Sequence, residues 1–259
     1  MAELAPDLTE DAFLGGQLRL TQPRSGHRAG HDAILLAAAT PARAGARVVE
    51  LGAGVGAAGL ALATRISGID LALVEIDPEL ARLARMNAVA NSILAEAIVL
   101  DVTADAQAFA ANGLPPDSVD VVLMNPPFND PARHRGSPDQ ARRSAHVATD
   151  DTLRAWAHAA RRILRSGGVL TLIWRADGIA DVLEALSRGF GSLAVLPVHG
   201  DAASPAIRVL VRAVKGGRAP TRILRGLMLN EEPHAQKKDV HEHVREILSG
   251  RAVLPLAEL

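Results

Sequence analysis

The sequence predicts an α/β fold: a mostly parallel, seven-stranded sheet with helices on both faces and an antiparallel last strand. Three observations predict it. Apolar runs of strand length alternate with helix-like stretches along the chain, the order produced by strand–crossover–strand connections. The run from Val119 to Met124 is broken only by Asp120, and 47–51 and 71–76 are similarly apolar, as in strands buried on both faces. The seventh run, 206–214, alternates instead. It sets Ile207, Val209 and Val211 on one side and Arg208, Leu210 and Arg212 on the other, the pattern of an antiparallel strand covered on one side.

Taken in order, residues 2–10 read as loose chain, and 31–39 as an early helix. Strands are expected at 47–51, 71–76, 97–101, 119–124, 168–174, 193–198 and 206–214. A helical stretch over 55–66 follows the first strand. Another over 80–91 follows the second, with Asp77 as its N-cap and Pro78 in the first helical position, where a missing N–H costs nothing. A helix over 151–164 stops before Ser166-Gly167-Gly168, a glycine stop signal, and one over 177–188 follows the fifth strand. The charged stretch 231–246 reads as a surface helix. The chain is expected to form one domain: an N-terminal extension over 1–46, a core over 47–215, and a basic then charged tail over 216–259.

Composition narrows the function. The chain has 259 residues, 48% hydrophobic and 22% charged, which suits a soluble globular protein. Aromatic residues are only 2%, so Ala, Leu and Val must fill the core. No apolar run is long enough to span a membrane, and the N-terminus lacks the features of a secretory signal. There are no cysteines to form disulfides and no histidine cluster with metal-site spacing, so no metal is expected and the location expected is cytoplasmic. The net charge of −1 does not by itself suggest a nucleic-acid partner. Two stretches are nevertheless basic. One follows Phe128 and holds Arg133, Arg135, Arg142 and Arg143; the other runs from Lys215 to Arg225.

Two motifs carry chemistry. The first strand runs into Gly52-Ala53-Gly54-Val55-Gly56 and a helix. Glycines there let the backbone take positive φ and let a ligand come close, and the helix N-terminus offers free N–H groups. The next strand ends in Glu75, 23 residues beyond Gly52, a distance at which an acid commonly binds a ribose. This pattern specifies an adenosine-containing ligand and leaves NAD and S-adenosylmethionine open. The second motif is Asn125-Pro126-Pro127-Phe128, at the end of the fourth strand. Two prolines fix two φ angles, and the first pushes Asn125 toward an extended conformation. The Asn side chain and the adjacent carbonyls form a stiff acceptor array beside an aromatic ring. That array suits a planar amino group and favours methyl transfer over hydride transfer.

With these motifs, the chain resembles class I S-adenosylmethionine-dependent methyltransferases of the Asn-Pro-Pro-aromatic group. It is most similar to the bacterial family that methylates adenine N6 in valine tRNA. The resemblance rests on Gln22, His31-Asp32-Ala33-Ile34-Leu35-Leu36, Glu50 to Gly56, Val74-Glu75-Ile76-Asp77 and Asn125 to Phe128. It implies a Rossmann-like fold with S-adenosyl-L-methionine as cofactor. Gly52, Ala53, Gly54 and Gly56 would pass the cofactor's methionine end, and Glu75 would take its ribose. Asp101, at the end of the third strand, would take its adenine, although the same spacing suits a turn cap. Asp32 would lie against the pocket, with Gln22 and His31 as further candidates and 23–30 as a substrate-side flap. Asn125, Pro126, Pro127 and Phe128 would hold the acceptor, and the four arginines after them an RNA, in this family tRNA. His158 and Trp156 read as packing residues. The family usually carries Asp at the position of Glu50 and Tyr at that of Phe128. Members with Phe include methyltransferases of guanine in ribosomal RNA. The acceptor array fits a glutamine carboxamide as well as a base amine, and a small molecule also remains possible on the residues alone.

Overall fold

The computed structural model describes residues 8–25, 28–127, 152–230 and 237–258. The chain opens with a hairpin of β1 (Leu8–Phe13) and β2 (Leu18–Pro23). Next come α1 (His31–Ala39), β3 (Arg47–Leu51), α2 (Ala57–Arg65), β4 (Asp70–Glu75), α3 (Pro78–Ala90), β5 (Ala95–Val99), α4 (Ala106–Ala111) and β6 (Val119–Met124). A helix over 152–163, α5, leads into β7 (Leu164–Arg175). Then follow α6 (Ile179–Leu186), β8 (Phe190–His199), β9 (Ala206–Lys215), the two-residue strands β10 (Arg222–Ile223) and β11 (Leu227–Met228), and α7 (Lys237–Leu248).

The main sheet runs β5-β4-β3-β6-β7-β9-β8, with β10 and β11 both paired to β8. Every pairing is parallel except those of β9, which lies antiparallel between β7 and β8. The fold is the expected Rossmann-like α/β sheet, with nine strands where seven are read from sequence. The two extra strands are too short to leave a periodic signal. The alternation in β9 is real, but both of its sides are covered. Leu210 joins the core beneath α1 and α2, while Val209 and Val211 join the core beneath α5 and α6.

Each face of the sheet buries its own core. On one side, α1 and α2 contribute Ile34, Leu35, Leu36, Leu60 and Leu62, and Val244 and Ile247 of α7 join them. On the other, Phe109, Trp156, Ile163 and Leu186 cover Val49, Leu51 and Val122. Asp77 caps α3 as expected, accepting from Glu79 N at 2.8 Å, with Pro78 at the helix start.

Three boundaries differ from expectation. Residues 8–10 belong to β1 and are not loose chain. The fifth long strand starts at Leu164, which pairs with Val119, and an irregular register at the glycines then brings Val169 opposite Val121. The third strand of the core ends at Val99, so Asp101 sits in the turn beyond it.

The hairpin is fastened to the body in an unusual way. Asn87 and Asn91, one turn apart on α3, face the backbone of β2. Asn87 Oδ1 accepts from Thr21 N at 2.8 Å, and its Nδ2 donates to Thr21 O and to Val55 O, both at 3.0 Å. Asn91 repeats the pattern on Arg19, with distances of 2.9 and 2.7 Å. Two helix side chains thereby occupy the place of a neighbouring strand.

Candidate active site

The site lies where β3, β4 and β6 end. Leu51 and Met124 are partners in the ladder between β3 and β6, so Gly52 and Asn125 leave the sheet side by side. Leu51 also pairs with Val74, which brings Glu75 to the same edge. Three segments distant in sequence converge because three parallel strands point the same way. This is the position where open parallel sheets bind ligands.

The glycine turn is held from below by two acids. Glu75 is buried at the end of β4; one carboxylate oxygen accepts from Gly54 N at 2.7 Å and the other from Asp77 N at 2.9 Å. Glu50, also buried, accepts from Gly59 N at 2.7 Å, which ties β3 to the first turn of α2. Asn87 grips the Val55 carbonyl from the side.

Gly52 and Gly54 are glycines for different reasons. Both take positive φ, 67° and 55°. A Cβ on Gly52 would overlap the ring of Trp156, so this glycine makes room for a neighbour from α5. A Cβ on Gly54 would meet no protein atom within 4 Å; it would project into open space beside the loop. Gly56 lies behind the turn against Leu73 and Leu60 and starts α2.

Two cavities meet at Asn125. The first, about 270 Å³, is lined by Arg28 to Ala33, Glu50, Gly52 to Val55 and the start of α2. The second, about 480 Å³, is lined by Gly52, Gly54, Glu75, Ile76, Asp101, Val102, Asn125, Pro126, Pro127 and Trp156. Asn125 borders both. Its Oδ1 is buried and has no hydrogen-bond partner among the described residues. A buried amide oxygen left unpaired costs about 1–3 kcal/mol, so an orphan of this kind calls for a missing donor. Pro126 is buried and Pro127 exposed.

The other expected residues fall as follows. Asp32 sits in the first turn of α1, lines the first cavity and accepts from Arg208 Nε at 2.9 Å. His31 lines the same cavity. Asp101 does what its spacing allows on both counts. Its carboxylate accepts from Thr103 N at 2.7 Å as a turn cap, and it lines the second cavity. Gln22 is buried and stands behind the wall, with Oε1 accepting from Ala29 N and Nε2 donating to Asp11, each at 2.9 Å. Of the 23–30 flap, Arg28 is tied back to Asp11 by an ion pair of 2.7 Å. Phe128, Arg133, Arg135, Arg142 and Arg143 lie outside the described residues.

Sequence reasoning missed the part played by Trp156. It does pack, as expected, but its partner is Gly52, and it forms a wall of the second cavity as well. Its helical spacing reported burial and nothing about what it would touch.

Burial pushes the Glu50 carboxyl up to about 8; the N–H groups of Gly59 and Ala58 oppose the rise and the charge of Glu75 adds to it. A carboxyl raised from 4.5 to about 8 on folding binds a proton in the folded state that it loses in the unfolded chain. Its contribution to stability is therefore present at low pH and is lost as pH rises through about 8. Glu50→Gln keeps an acceptor for Gly59 and removes the titration. Its melting temperature is expected to fall less between pH 5 and 8 than that of the parent. Parallel melting curves for the two proteins would mean that Glu50 does not titrate there.

A parallel sheet in this order, with a glycine turn, an acid on the next strand and an Asn-Pro-Pro corner, defines a class I S-adenosylmethionine-dependent methyltransferase. Residues 28–200 match the methyltransferase small domain family, and the chain belongs to that family. Its relatives include the tRNA1(Val) (adenine(37)-N6)-methyltransferase of Salmonella arizonae, 31% identical over 71% of this chain and 73% of the relative. A release factor glutamine methyltransferase of Chlorobaculum tepidum is 29% identical over 58% of this chain and 52% of the relative. Among solved structures, a predicted O-methyltransferase of Agrobacterium tumefaciens superposes with a TM-score of 0.70. The two are 30% identical over 86% of this chain and 98% of the other. The protein is thus an S-adenosylmethionine-dependent methyltransferase. Its residues fit that cofactor: open space beside Gly54, a buried carboxylate at Glu75 and two cavities that meet at an unpaired acceptor. Among the described residues, no helix is long and apolar enough to cross a membrane, and no group of three His, Asp or Glu side chains could hold a metal.

Proposed function

We propose that the protein methylates an exocyclic amine in RNA, adenine N6 of a tRNA, in the cytoplasm and as a single catalytic domain. The observation that carries this reading is the buried, unpaired Asn125 Oδ1 at the junction of the two cavities. An exocyclic amine supplies the donor that this oxygen lacks.

Gly52, Ala53 and Gly54 line the cofactor's methionine end, with Asp32 in the lining of the same cavity. Glu75 accepts from the ribose and Asp101 from the adenine. When bound, S-adenosylmethionine supplies an electrophilic sulfonium methyl group. The protein's task is alignment, which can lower a barrier by ~7–11 kcal/mol. Asn125 Oδ1 and the Pro126 carbonyl accept the two N–H bonds of the amine and draw them out of the ring plane. The nitrogen lone pair, otherwise delocalised into the base, is then free to point at the methyl group. With the amine so held, methyl transfer from the bound cofactor would leave S-adenosylhomocysteine, and the methylated nitrogen would release its extra proton to water. Phe128 stacks on the base, an interaction of ~1–3 kcal/mol. Gly56 shapes the turn from behind, and Arg133, Arg135, Arg142 and Arg143 hold phosphates near the reacting centre.

The support beyond geometry is the likeness to tRNA adenine-N6 methyltransferases. A second reading, methylation of a protein glutamine, draws on the release factor methyltransferase relative and on the same acceptor array, which fits a carboxamide. Nucleoside mass spectrometry of RNA from a deletion strain tests the choice. Loss of N6-methyladenosine from tRNA is expected. Loss of a methylated guanosine would move the acceptor to guanine, and an unchanged nucleoside profile would favour the glutamine.

A further inference from the structure

Arg28 is the one lysine or arginine among the described residues that line the first cavity. Methyl transfer as described above gives it no part. It shares the lining with Asp32, Glu50, the turn from Gly52 to Gly54, and Ala57 and Ala58 at the start of α2.

The N-terminal hairpin fixes this side chain. Nη1 donates to Thr9 Oγ1 at 2.9 Å and to Pro23 O at 3.1 Å, and Nη2 donates to Asp11 Oδ2 at 2.7 Å. The next residue is fixed as well, since Ala29 N donates to Gln22 Oε1 at 2.9 Å. These bonds use three of the five N–H donors of a guanidinium. Nε and one hydrogen of Nη2 have no partner among the described residues. The counter-ion is shared: Asp11 Oδ2 also accepts from Thr9 at 3.0 Å and from Gln22 at 2.9 Å. With side chains 32% and 36% exposed, the ion pair contributes little by itself. Its effect is to orient a cation that still has donors to offer, and such a group suits a carboxylate.

The chemistry of the occupant supplies the second argument. The methionine end of S-adenosylmethionine carries a carboxylate and an ammonium on one carbon. The lining holds a complement for each: Arg28 for the anion and Asp32 for the cation. Asp32 is itself held by Arg208 Nε at 2.9 Å. The start of α2 in the same lining adds the positive end of a helix, which also favours an anion. Glu50, pushed up to about 8 by burial, is mostly protonated at neutral pH and does not repel a carboxylate there.

We infer that Arg28 binds the carboxylate of the cofactor's methionine end, and that Thr9, Asp11 and Pro23 position it to do so. This inference rests on the placement of that end beside Gly52, Ala53 and Gly54 given above. It makes the N-terminal hairpin part of cofactor recognition, although no atom of β1 lines the cavity among the described residues.

The test measures calorimetric affinity for S-adenosylmethionine and for decarboxylated S-adenosylmethionine, which lacks only the carboxylate. The parent is compared with Arg28→Gln, Arg28→Lys and Asp11→Asn. Arg28→Gln is expected to bind S-adenosylmethionine roughly tenfold or more weakly, with affinity for the decarboxylated ligand within about twofold of the parent. Arg28→Lys, which keeps the charge, should show a smaller loss confined to the same ligand, and it stands in if Arg28→Gln fails to fold. Asp11→Asn removes the ion pair and keeps the cation, so the parent's preference for the carboxylated ligand should survive. An equal loss for both ligands in Arg28→Gln would reduce Arg28 to a fastener of the hairpin and overturn the inference, as would parent-like affinity for both. The placement of the methionine end fails separately: Gly54→Val that still bound S-adenosylmethionine would move that end out of this cavity and overturn both.

Discussion

Asn125→Ala is expected to lower the methylation rate by on the order of 10²-fold or more while leaving S-adenosylmethionine affinity within a few-fold. Asn125 Oδ1 spends the unliganded state buried without a donor. Removing it relieves that cost, so the variant should fold at least as well as the parent. The loss should appear only when an amine must be held with its lone pair on the methyl group. Single-turnover rates with saturating cofactor, set beside calorimetric binding of the cofactor, separate the two effects. Near-parental turnover would reduce Asn125 to a turn residue. A parallel loss of cofactor affinity would place its role in the first cavity rather than at the acceptor.

Gly54→Val should abolish measurable binding of S-adenosylmethionine. A Cβ at this position would meet no protein atom within 4 Å, so the valine side chain starts into open space. It would fill the region that both cavities share. The backbone must also hold φ at 55°, at a strain of about 1–3 kcal/mol for a non-glycine residue. A modest fall in melting temperature together with complete loss of binding is the expected signature. Thermal shift with added cofactor reads both at once, since ligand binding stabilises only a chain that can bind it. A variant stabilised as much as the parent would remove the glycine turn from the cofactor site. Stabilisation of the parent by NAD and not by S-adenosylmethionine would contradict the assignment more broadly.

The sheet was legible in the sequence because its strands are buried on both faces and its crossovers are short. Asp77 and Pro78 announced α3, and the continuous apolar run before Asn125 announced β6. The sequence named Gly52, Glu75 and Asn125 separately; the order β6-β3-β4, which brings their strand ends together, comes from the structure. What escaped detection depends on contacts with no periodic trace. The pairing of Gly52 with Trp156 joins residues 104 positions apart, and neither motif implies the other. The depth of Glu50 follows from packing of α2 against β3, and from sequence it looked like a simple exchange for aspartate. The N-terminal hairpin was missed because β1 reads Leu-Thr-Glu-Asp-Ala-Phe, too polar for a buried strand. Its partner on the other side of β2 is a pair of asparagines on a helix, where no ladder would be sought. In β9 the alternation pointed correctly to an antiparallel strand, yet the long stems of Arg208 and Arg212 share their face with a fully buried Leu210.

The asparagine pair has a consequence for how the molecule comes apart. A strand joined to a sheet leaves only at the expense of its neighbours' ladder. Here β2 is joined to the body through four side-chain bonds from one helix, and β1 pairs with nothing but β2 among the described residues. Leu14, Leu18 and Leu20 are also buried in the core beneath α1 and α2, so release of the hairpin would cost their burial and these side-chain bonds but no strand pairing of the nine-stranded sheet. Arg28 and Ala29 hang from that hairpin through Asp11 and Gln22, and they line the first cavity. Opening of a small subdomain at the N-terminus would unroof one wall of the cofactor site without global unfolding. Asn87 is thus one side chain that ties both the hairpin and the glycine turn to α3.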